Sequence, residues 1–285
     1  MVETTYCTVA DFRADRRFCP LNHPEPEQKL TLIQISDTHL MQDASHLFVG
    51  MNPEASFHAL MQHILTTHPK IDAIIHTGDV AQVAVPETYQ RYLAYMQQFN
   101  IPFFQVAGNH DDLTIFPHHQ AMPCSYIELG SWVIIFMTSA VSGKTDGLID
   151  LEQLQQLENI LEKFKDRPSL IACHHNPIHM QSTWLDRHRL KNPQQLLEIV
   201  LRYSQVKAII HGHVHQNFSQ VMEHLQILAT PSTCVQFKPC SHDFSFDEAA
   251  PGYRCLTLGK KGQLSTEVHR VPALLAKINP LITGY

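Results

Sequence analysis

Charged residues are scarce in this sequence. They make up 17% of the 285 residues, and the formal net charge is −6. A protein that grips long nucleic acid needs a broad basic surface, and this charge balance does not provide one. Binding of long nucleic acid is therefore excluded as a main function, while binding of small substrates stays open.

Cysteine pairs and long apolar runs are also lacking. The seven cysteines are scattered without C-x-x-C spacing, which argues against a disulfide framework and against a cysteine-type zinc site. No segment approaches the roughly 18 uninterrupted apolar residues of a membrane helix. The polar N-terminal residues lack the hydrophobic centre of a signal peptide. We therefore expect a soluble cytoplasmic protein in a reducing compartment, with no membrane as a partner.

The chain is long and apolar enough for one large domain. Apolar residues make up 44% of it, which allows a sizeable buried core. Residues 1–28 are polar and contain Pro20, Pro24 and Pro26, so we predict an N-terminal extension there. The domain itself is predicted over residues 29–285, without an internal repeat or a linker.

Strand-like runs alternate with segments of helical periodicity over most of the domain. Helices are predicted from Asn52-Pro53, Pro86, Asp150 and Asn192-Pro193, where capping residues or proline precede apolar stripes. From His224 onward short strands dominate, and we expect this part to complete a second sheet. The predicted fold is α/β, a four-layer αββα sandwich of two mixed β-sheets packed face to face with flanking helices. The predicted strands are 30–35, 73–76, 103–106, 169–173 and 208–210, followed by 226–229, 234–237, 253–258 and 263–268.

Metal-binding side chains follow five of these strands directly. Because ligands of α/β sheets gather at the carboxyl edge, we expect the five loops to converge although they are far apart in the chain. One such motif alone arises easily by chance, but five in fixed order at strand ends do not. The seven candidate ligands are Asp37, His39, Asp79, Asn109, His174, His213 and His215.

The chemistry of these donors indicates transition metals. Aspartate, histidine and asparagine without thiolates suit Fe, Mn, Co or Zn, whereas Mg and Ca prefer oxygen alone. Seven donors are too many for one ion, so we predict two divalent or trivalent ions that share Asp79. Two ions roughly 3.5–4 Å apart can deprotonate a bridging water for in-line attack on phosphorus, which is the chemistry of a phosphoester hydrolase.

Two residues beside Asn109 are candidate catalytic groups. His110 should face the substrate without binding metal, where it can donate a proton to the departing oxygen. Asp111 can hydrogen-bond that ring and fix its tautomer.

The five motifs together resemble the calcineurin-like metallophosphoesterase superfamily over about residues 29–270. Segments 182–188, 230–239 and 250–254 further resemble the bacterial class III 3′,5′-cyclic AMP phosphodiesterases. The resemblance implies hydrolysis of 3′,5′-cyclic AMP to 5′-AMP by a metal-bridging hydroxide. It implies one ion held by Asp37, His39, Asp79 and His215, and another held by Asp79, Asn109, His174 and His213. Of the histidine pair it favours His174 as the ligand, although His175 is chemically equivalent.

The segments that resemble this subfamily also supply candidate contacts to a purine. A purine needs an apolar or aromatic slot with a few polar groups. Trp184, His188 and Phe237 are candidates, beside Asn109, His110 and His175 near the phosphate; ordinary packing is the alternative reading of the aromatic residues. Other hypotheses remain open: another small phosphodiester or nucleotide pyrophosphate as substrate, a non-catalytic scaffold on the same fold, and a homodimer.

Overall fold

Two β-sheets packed face to face form the centre of the computed structural model, which describes residues 29–118 and 124–272. The predicted extension over residues 1–28 lies outside the described residues. One sheet has five strands in the order β13-β12-β1-β2-β3, and the other has six in the order β4-β5-β6-β7-β9-β8. The strands are β1 Leu30–Ile35, β2 Ala73–His76, β3 Phe103–Gln105, β4 Cys124–Leu129, β5 Trp132–Met137, β6 Ser169–Ala172, β7 Val206–His211, β8 Phe218–Met222, β9 Leu225–Ala229, β10 Gln236–Phe237, β11 Phe246–Asp247, β12 Gly252–Leu258 and β13 Leu264–Arg270.

The four predicted helices form and lie on the outer faces of the sheets. They are α1 (Pro53–Thr67), α2 (Pro86–Gln97), α3 (Leu151–Lys163) and α5 (Pro193–Arg202); a short helix, α4 (Thr183–Arg187), was not predicted. Asn52 and Asp150 cap α1 and α3 by accepting backbone N–H bonds of 2.8 Å. Such caps satisfy amide groups that a helix start leaves without partners. In the described residues, no helix has the length and hydropathy needed to cross a membrane.

Three apolar cores account for the four layers. One lies between the two sheets and includes Leu32, Ile75 and Ile134. A second packs α1 and α2 on the outer face of the five-stranded sheet, and a third packs α3 and α5 on the six-stranded sheet. The predicted αββα sandwich is therefore confirmed.

Three details of the strand prediction are wrong. The hairpin β4–β5 was not anticipated, because all of β5 is buried and its sequence has no apolar-polar alternation. The late strands do not all join the second sheet: β8 and β9 do, but β12 returns to pair with β1 and β13 pairs with β12. Of the predicted strand 234–237, only Gln236–Phe237 is extended, paired with β11.

Parallel pairing aligns the ends of the central strands. In the five-stranded sheet β1, β2 and β3 are parallel, and in the six-stranded sheet β5, β6 and β7 are parallel. The Gln34 side chain joins the sheets at this end, because its Nε2 donates to Thr77 Oγ1 and to the carbonyl oxygen of His211. The loops after these strands therefore meet at one edge of the sandwich.

Candidate metal centre

The seven candidate ligands meet at this edge, contributed by both sheets. Within residues 29–118 and 124–272, there are four overlapping groups of three residues in which one donor atom from each residue lies within 4.8 Å of the others. The groups are Asp37, His39 and His215; Asp37, Asp79 and His174; His39, Asp79 and His110; and His174, His175 and His213. All except His110 are buried. The cluster is therefore able to hold metal ions.

The loops reach these positions through strained backbone. Five candidate ligands have positive φ, a region that residues other than glycine rarely adopt. Such strain persists only where the surroundings impose it, and it concentrates at functional sites. The five are Asp37 (54°), His39 (53°), Asp79 (54°), His213 (67°) and His215 (49°).

Glycines beside the ligands allow close approach of the loops. A Cβ at Gly108 would overlap the Asp79 side chain, and one at Gly78, whose φ is 98°, would overlap the His174 ring. Only glycine meets both requirements at Gly78. Gly78 and Gly108 therefore have a steric role.

One half of the centre contains Asp37, His39 and His215. The His39 Nδ1 lies 2.7 Å from Gln82 Oε1, and the His215 Nδ1 lies 2.8 Å from the Val235 carbonyl oxygen. These oxygens can only accept, so each ring carries its proton on Nδ1 and leaves a lone pair on Nε2. The two Nε2 atoms are 3.1 Å apart. Two facing lone pairs repel unless a cation or a proton lies between them, so this geometry fits a metal ion.

The other half contains Asn109, His174 and His213. The His174 Nδ1 lies 2.8 Å from the Thr77 carbonyl oxygen, and its Nε2 lies 3.1 Å from Asn109 Oδ1 and 3.4 Å from Asp79 Oδ2. The backbone N–H of His213 donates to both oxygens of Asp37, at 3.1 and 3.2 Å. Its buried Nε2 has no hydrogen-bond partner among the described residues. Asp79 lies between the halves, because its Oδ2 is also 3.9 Å from His39 Nε2.

Comparisons with known proteins agree with this geometry. Residues 30–217 match the family model described as calcineurin-like phosphoesterase. The chain belongs to the calcineurin-like phosphoesterase family. It is 33% identical over 93% of its length to a 3′,5′-cyclic adenosine monophosphate phosphodiesterase, CpdA, of Pseudomonas aeruginosa, covering 98% of that protein. It is 36% identical over 85% of its length to the CpdA of Haemophilus influenzae, covering 90% of that protein.

Solved structures support the phosphoesterase fold. A dimetal phosphatase from Danio rerio superposes with a TM-score of 0.57 at 12% identity, covering 83% of this chain and 98% of that one. At this identity the likeness concerns the fold alone.

The carboxylates and imidazoles of the phosphoesterase centre shift one another's pKa. Burial raises the cost of ionising Asp37 and Asp79, yet the nearby imidazoles outweigh it and hold the pKa of both carboxyls below their ordinary value. Burial opposes a charge on His174 as well, but Asp79 and Asp37 raise its pKa to about 9. Burial lowers the pKa of His39 to about 3. Without metal, a proton on His174 therefore offsets one of the two negative charges of the carboxylates.

His110 lies beside the first half of the centre. Its backbone N–H donates to Asp79 Oδ1 at 2.9 Å, and its ring meets the His39 ring edge-on with centroids 5.1 Å apart. Like Asn109 it is only partly buried, whereas the other six candidate ligands are buried. The ring is thus beside the donors and within reach of a substrate.

Asp111 has a different set of contacts from the one predicted. Its carboxylate accepts from the backbone N–H groups of Gly108, Val80 and Ala81 and from the Tyr89 hydroxyl, at 2.9–3.2 Å. Four donors fill the acceptor positions of a carboxylate, so these contacts do not favour the expected bond to the His110 ring. Asp111 instead ties the loop after β3 to the loop after β2 and to α2.

Phenylalanine rings pack against two candidate ligands. Phe48 stacks on His39 with a centroid distance of 5.2 Å, and Phe237 stacks on His215 at 3.9 Å. Phe237 is only 2% exposed and its ring supports His215, while its contact with a purine stays a prediction. Trp184 meets Phe237 edge-on at 5.0 Å and is half-buried. His188 lies 2.8 Å from Thr145 Oγ1 through its Nδ1.

Several residues that orient the ligands were missed. Gln82, the Thr77 carbonyl and the Val235 carbonyl fix three imidazoles, and the Ser139 hydroxyl contacts His175. Gln82 carried a signal, since it lies three residues after Asp79. Ser139 follows β5, so recognising that strand would have placed it at the same sheet edge. The two backbone carbonyl partners could not have been found, because every residue has a carbonyl and the residue type gives no sign of the contact.

Proposed function

We propose that this chain is a phosphodiesterase that hydrolyses 3′,5′-cyclic AMP to 5′-AMP. The observation that carries the proposal is the pair of imidazole lone pairs of His39 and His215, which face each other across 3.1 Å beside two buried carboxylates. The activity of the relatives, 3′,5′-cyclic adenosine monophosphate phosphodiesterase, suggests the substrate.

The donor set supports two cations with Asp79 shared between them. Asp37, His39 and His215 would complete one position, and Asn109, His174 and His213 the other. Iron and manganese suit this mixture of nitrogen and oxygen best, with zinc or cobalt as alternatives. When bound, such a pair lowers the pKa of water and neutralises negative charge on a phosphoryl group.

The chain's own residues then align the diester and move one proton. Water releases a proton to the solvent, from which His110 later regains its own, and the oxygen of that water forms a bond to phosphorus while the bond from phosphorus to the 3′ oxygen breaks. His110, beside Asp79, would donate its proton to the departing 3′ oxygen, which leaves as a hydroxyl group. The Asn109 side chain would hold both a cation and the phosphoryl group in position.

Trp184 and His188 would bind the purine base of the substrate. The Trp184 Nε1 is buried without a hydrogen-bond partner among the described residues, so its N–H is left to donate to a ligand. Its ring is one aromatic side chain away from His215. Phe237 would act indirectly, by keeping the His215 ring in place.

A substrate panel tests the proposal. Protein reconstituted with manganese or iron would be given cyclic AMP, cyclic GMP and a chromogenic phosphodiester, with metal content measured on the same sample. We expect 5′-AMP as the product and a preference for cyclic AMP. If the protein cleaved the chromogenic diester but left cyclic AMP intact, the proposed substrate would be wrong, while the proposed metal centre would still stand. The matched control for variants of His110 is His46→Ala, because His46 is exposed and lies close to the candidate ligand His39 in the sequence.

Two further properties are proposals from the sequence alone. A cytoplasmic location rests on the composition and cysteine pattern, and homodimer formation rests on the resemblance to the subfamily.

A further inference from the structure

Two adjacent histidines, His174 and His175, follow β6 and are both fully buried at the centre. Each belongs to a group whose donor atoms lie within 4.8 Å of one another. Residue type cannot decide which of them binds a cation. Their hydrogen bonds differ, and the difference decides where each ring carries its proton.

His174 has its Nδ1 beside a carbonyl oxygen. The distance to the Thr77 oxygen is 2.8 Å, and a carbonyl can only accept, so Nδ1 carries a proton. The Nε2 atom then faces Asn109 and Asp79, where a cation can displace any proton it holds. His174 is therefore built to offer a lone pair.

His175 has its Nδ1 beside a hydroxyl whose acceptor positions are full. Ser139 Oγ accepts the backbone N–H groups of His174 and His175, at 3.3 and 3.1 Å. A hydroxyl has two lone pairs and one hydrogen, so its hydrogen must be directed to His175 Nδ1, which is 2.8 Å away. The Nδ1 atom is thus an acceptor, and the proton of the neutral ring lies on Nε2.

We propose that Ser139 is a positioning residue that keeps His175 out of the cation's coordination and leaves His174 as the only ligand of the pair. If Nδ1 accepts from Ser139, a lone pair on Nε2 becomes free only when the ring turns into an imidazolate anion, whereas His174 offers its Nε2 lone pair as a neutral ring. The proposal deepens the proposed two-cation function and rests on it. Ser139 can act on His175 because β5 and β6 are parallel neighbours, so the residues after both strands lie at the same edge.

Nitrogen NMR of the wild-type protein tests the assignment directly. Protein labelled with ¹⁵N-histidine would be measured without metal and with zinc, because protonated and unprotonated ring nitrogens differ clearly in chemical shift. His175→Gln identifies the His175 signals by their loss. We expect Nε2 of His175 to carry the proton in both samples. A proton on Nδ1 of His175, or a zinc-dependent change at its Nε2 like that of a ligand, would overturn the proposal.

Variants provide the second test. Ser139→Ala removes the hydroxyl hydrogen, and we expect His175 to move its proton toward Nδ1; Ser139→Thr keeps the hydroxyl and should restore the wild-type pattern. His175→Gln should retain both cations at full stoichiometry, whereas His174→Gln should lose one. Equal loss of metal in the two glutamine variants would contradict the proposal. These measurements use no substrate, so a failure to cleave cyclic AMP would leave their outcome unaffected.

Discussion

The two halves of the centre are enclosed by different neighbours. Around His39 and His215 the neighbours are the phenylalanine rings of Phe48 and Phe237, which lie nearly parallel to the imidazoles at interplanar angles of 16° and 13°. Around His174 and His213 the neighbours are other imidazoles, packed at steeper angles of 46–88°. We expect packing to hold the first half before a cation arrives, and the second half to depend more on the cation. We therefore expect the second position to release its metal more readily.

Asp79→Ala should have the largest effect, because it removes the carboxylate that both halves share. We expect loss of both cations and of measurable hydrolysis. Metal analysis after gel filtration checks this, with Asp166→Ala as an exposed control. Two cations retained at full occupancy in Asp79→Ala would show that the halves are independent.

His110→Ala should keep both cations and slow turnover by roughly 10²–10⁴-fold, the range for loss of a general acid. The His110 ring lies beside His39 in the first half although its sequence neighbour Asn109 belongs to the second. Turnover and metal content measured on one sample separate a lost proton donor from a lost cation. Normal turnover would mean that the proton comes from elsewhere.

Gln82→Leu should weaken the first position alone. Gln82 is the only side chain among the three acceptors described above that fix ligand imidazoles, and loss of such a partner costs about 10–100-fold in metal affinity. Asn109→Ala is its counterpart and should weaken the second position. Calorimetric titration distinguishes the two, and Gln62→Leu, an exposed site on α1, serves as the control. Equal weakening of both positions by Gln82→Leu would contradict the division into halves.

The smallest effect should come from a shift of one pH unit, which changes metal affinity by up to about tenfold. In the metal-free protein the His174 pKa is raised from 6.5 to about 9, so its protonated form stabilises the fold below about pH 6.5 and this contribution is lost as pH rises through 9. A cation must displace that proton. Apparent affinity should therefore fall as pH drops below about 9, with proton release visible when calorimetry is repeated in buffers of different ionisation enthalpy. Binding without proton release would contradict this electrostatic picture.

Local patterns predicted the four long helices and the convergence of the ligand loops, since capping residues and strand ends are properties of short segments. The apolar stripes of α1 and α3 and the ligand loops after β1 and β2 are examples. Strand β5 was missed because a strand buried on both faces carries no apolar-polar alternation. The stacking of Phe237 on His215 was missed because it depends on tertiary packing between residues in separate loops.

Each candidate cation position draws on both sheets. Asp37 and His39 follow a strand of one sheet and His215 a strand of the other, and Asn109 and His174 are divided in the same way. If the two sheets separate, neither cation position stays intact. Metal binding to the folded protein therefore raises the free energy of unfolding of the whole sandwich. Removal of the metal by a chelator should therefore destabilise the folded protein, even when no substrate is present.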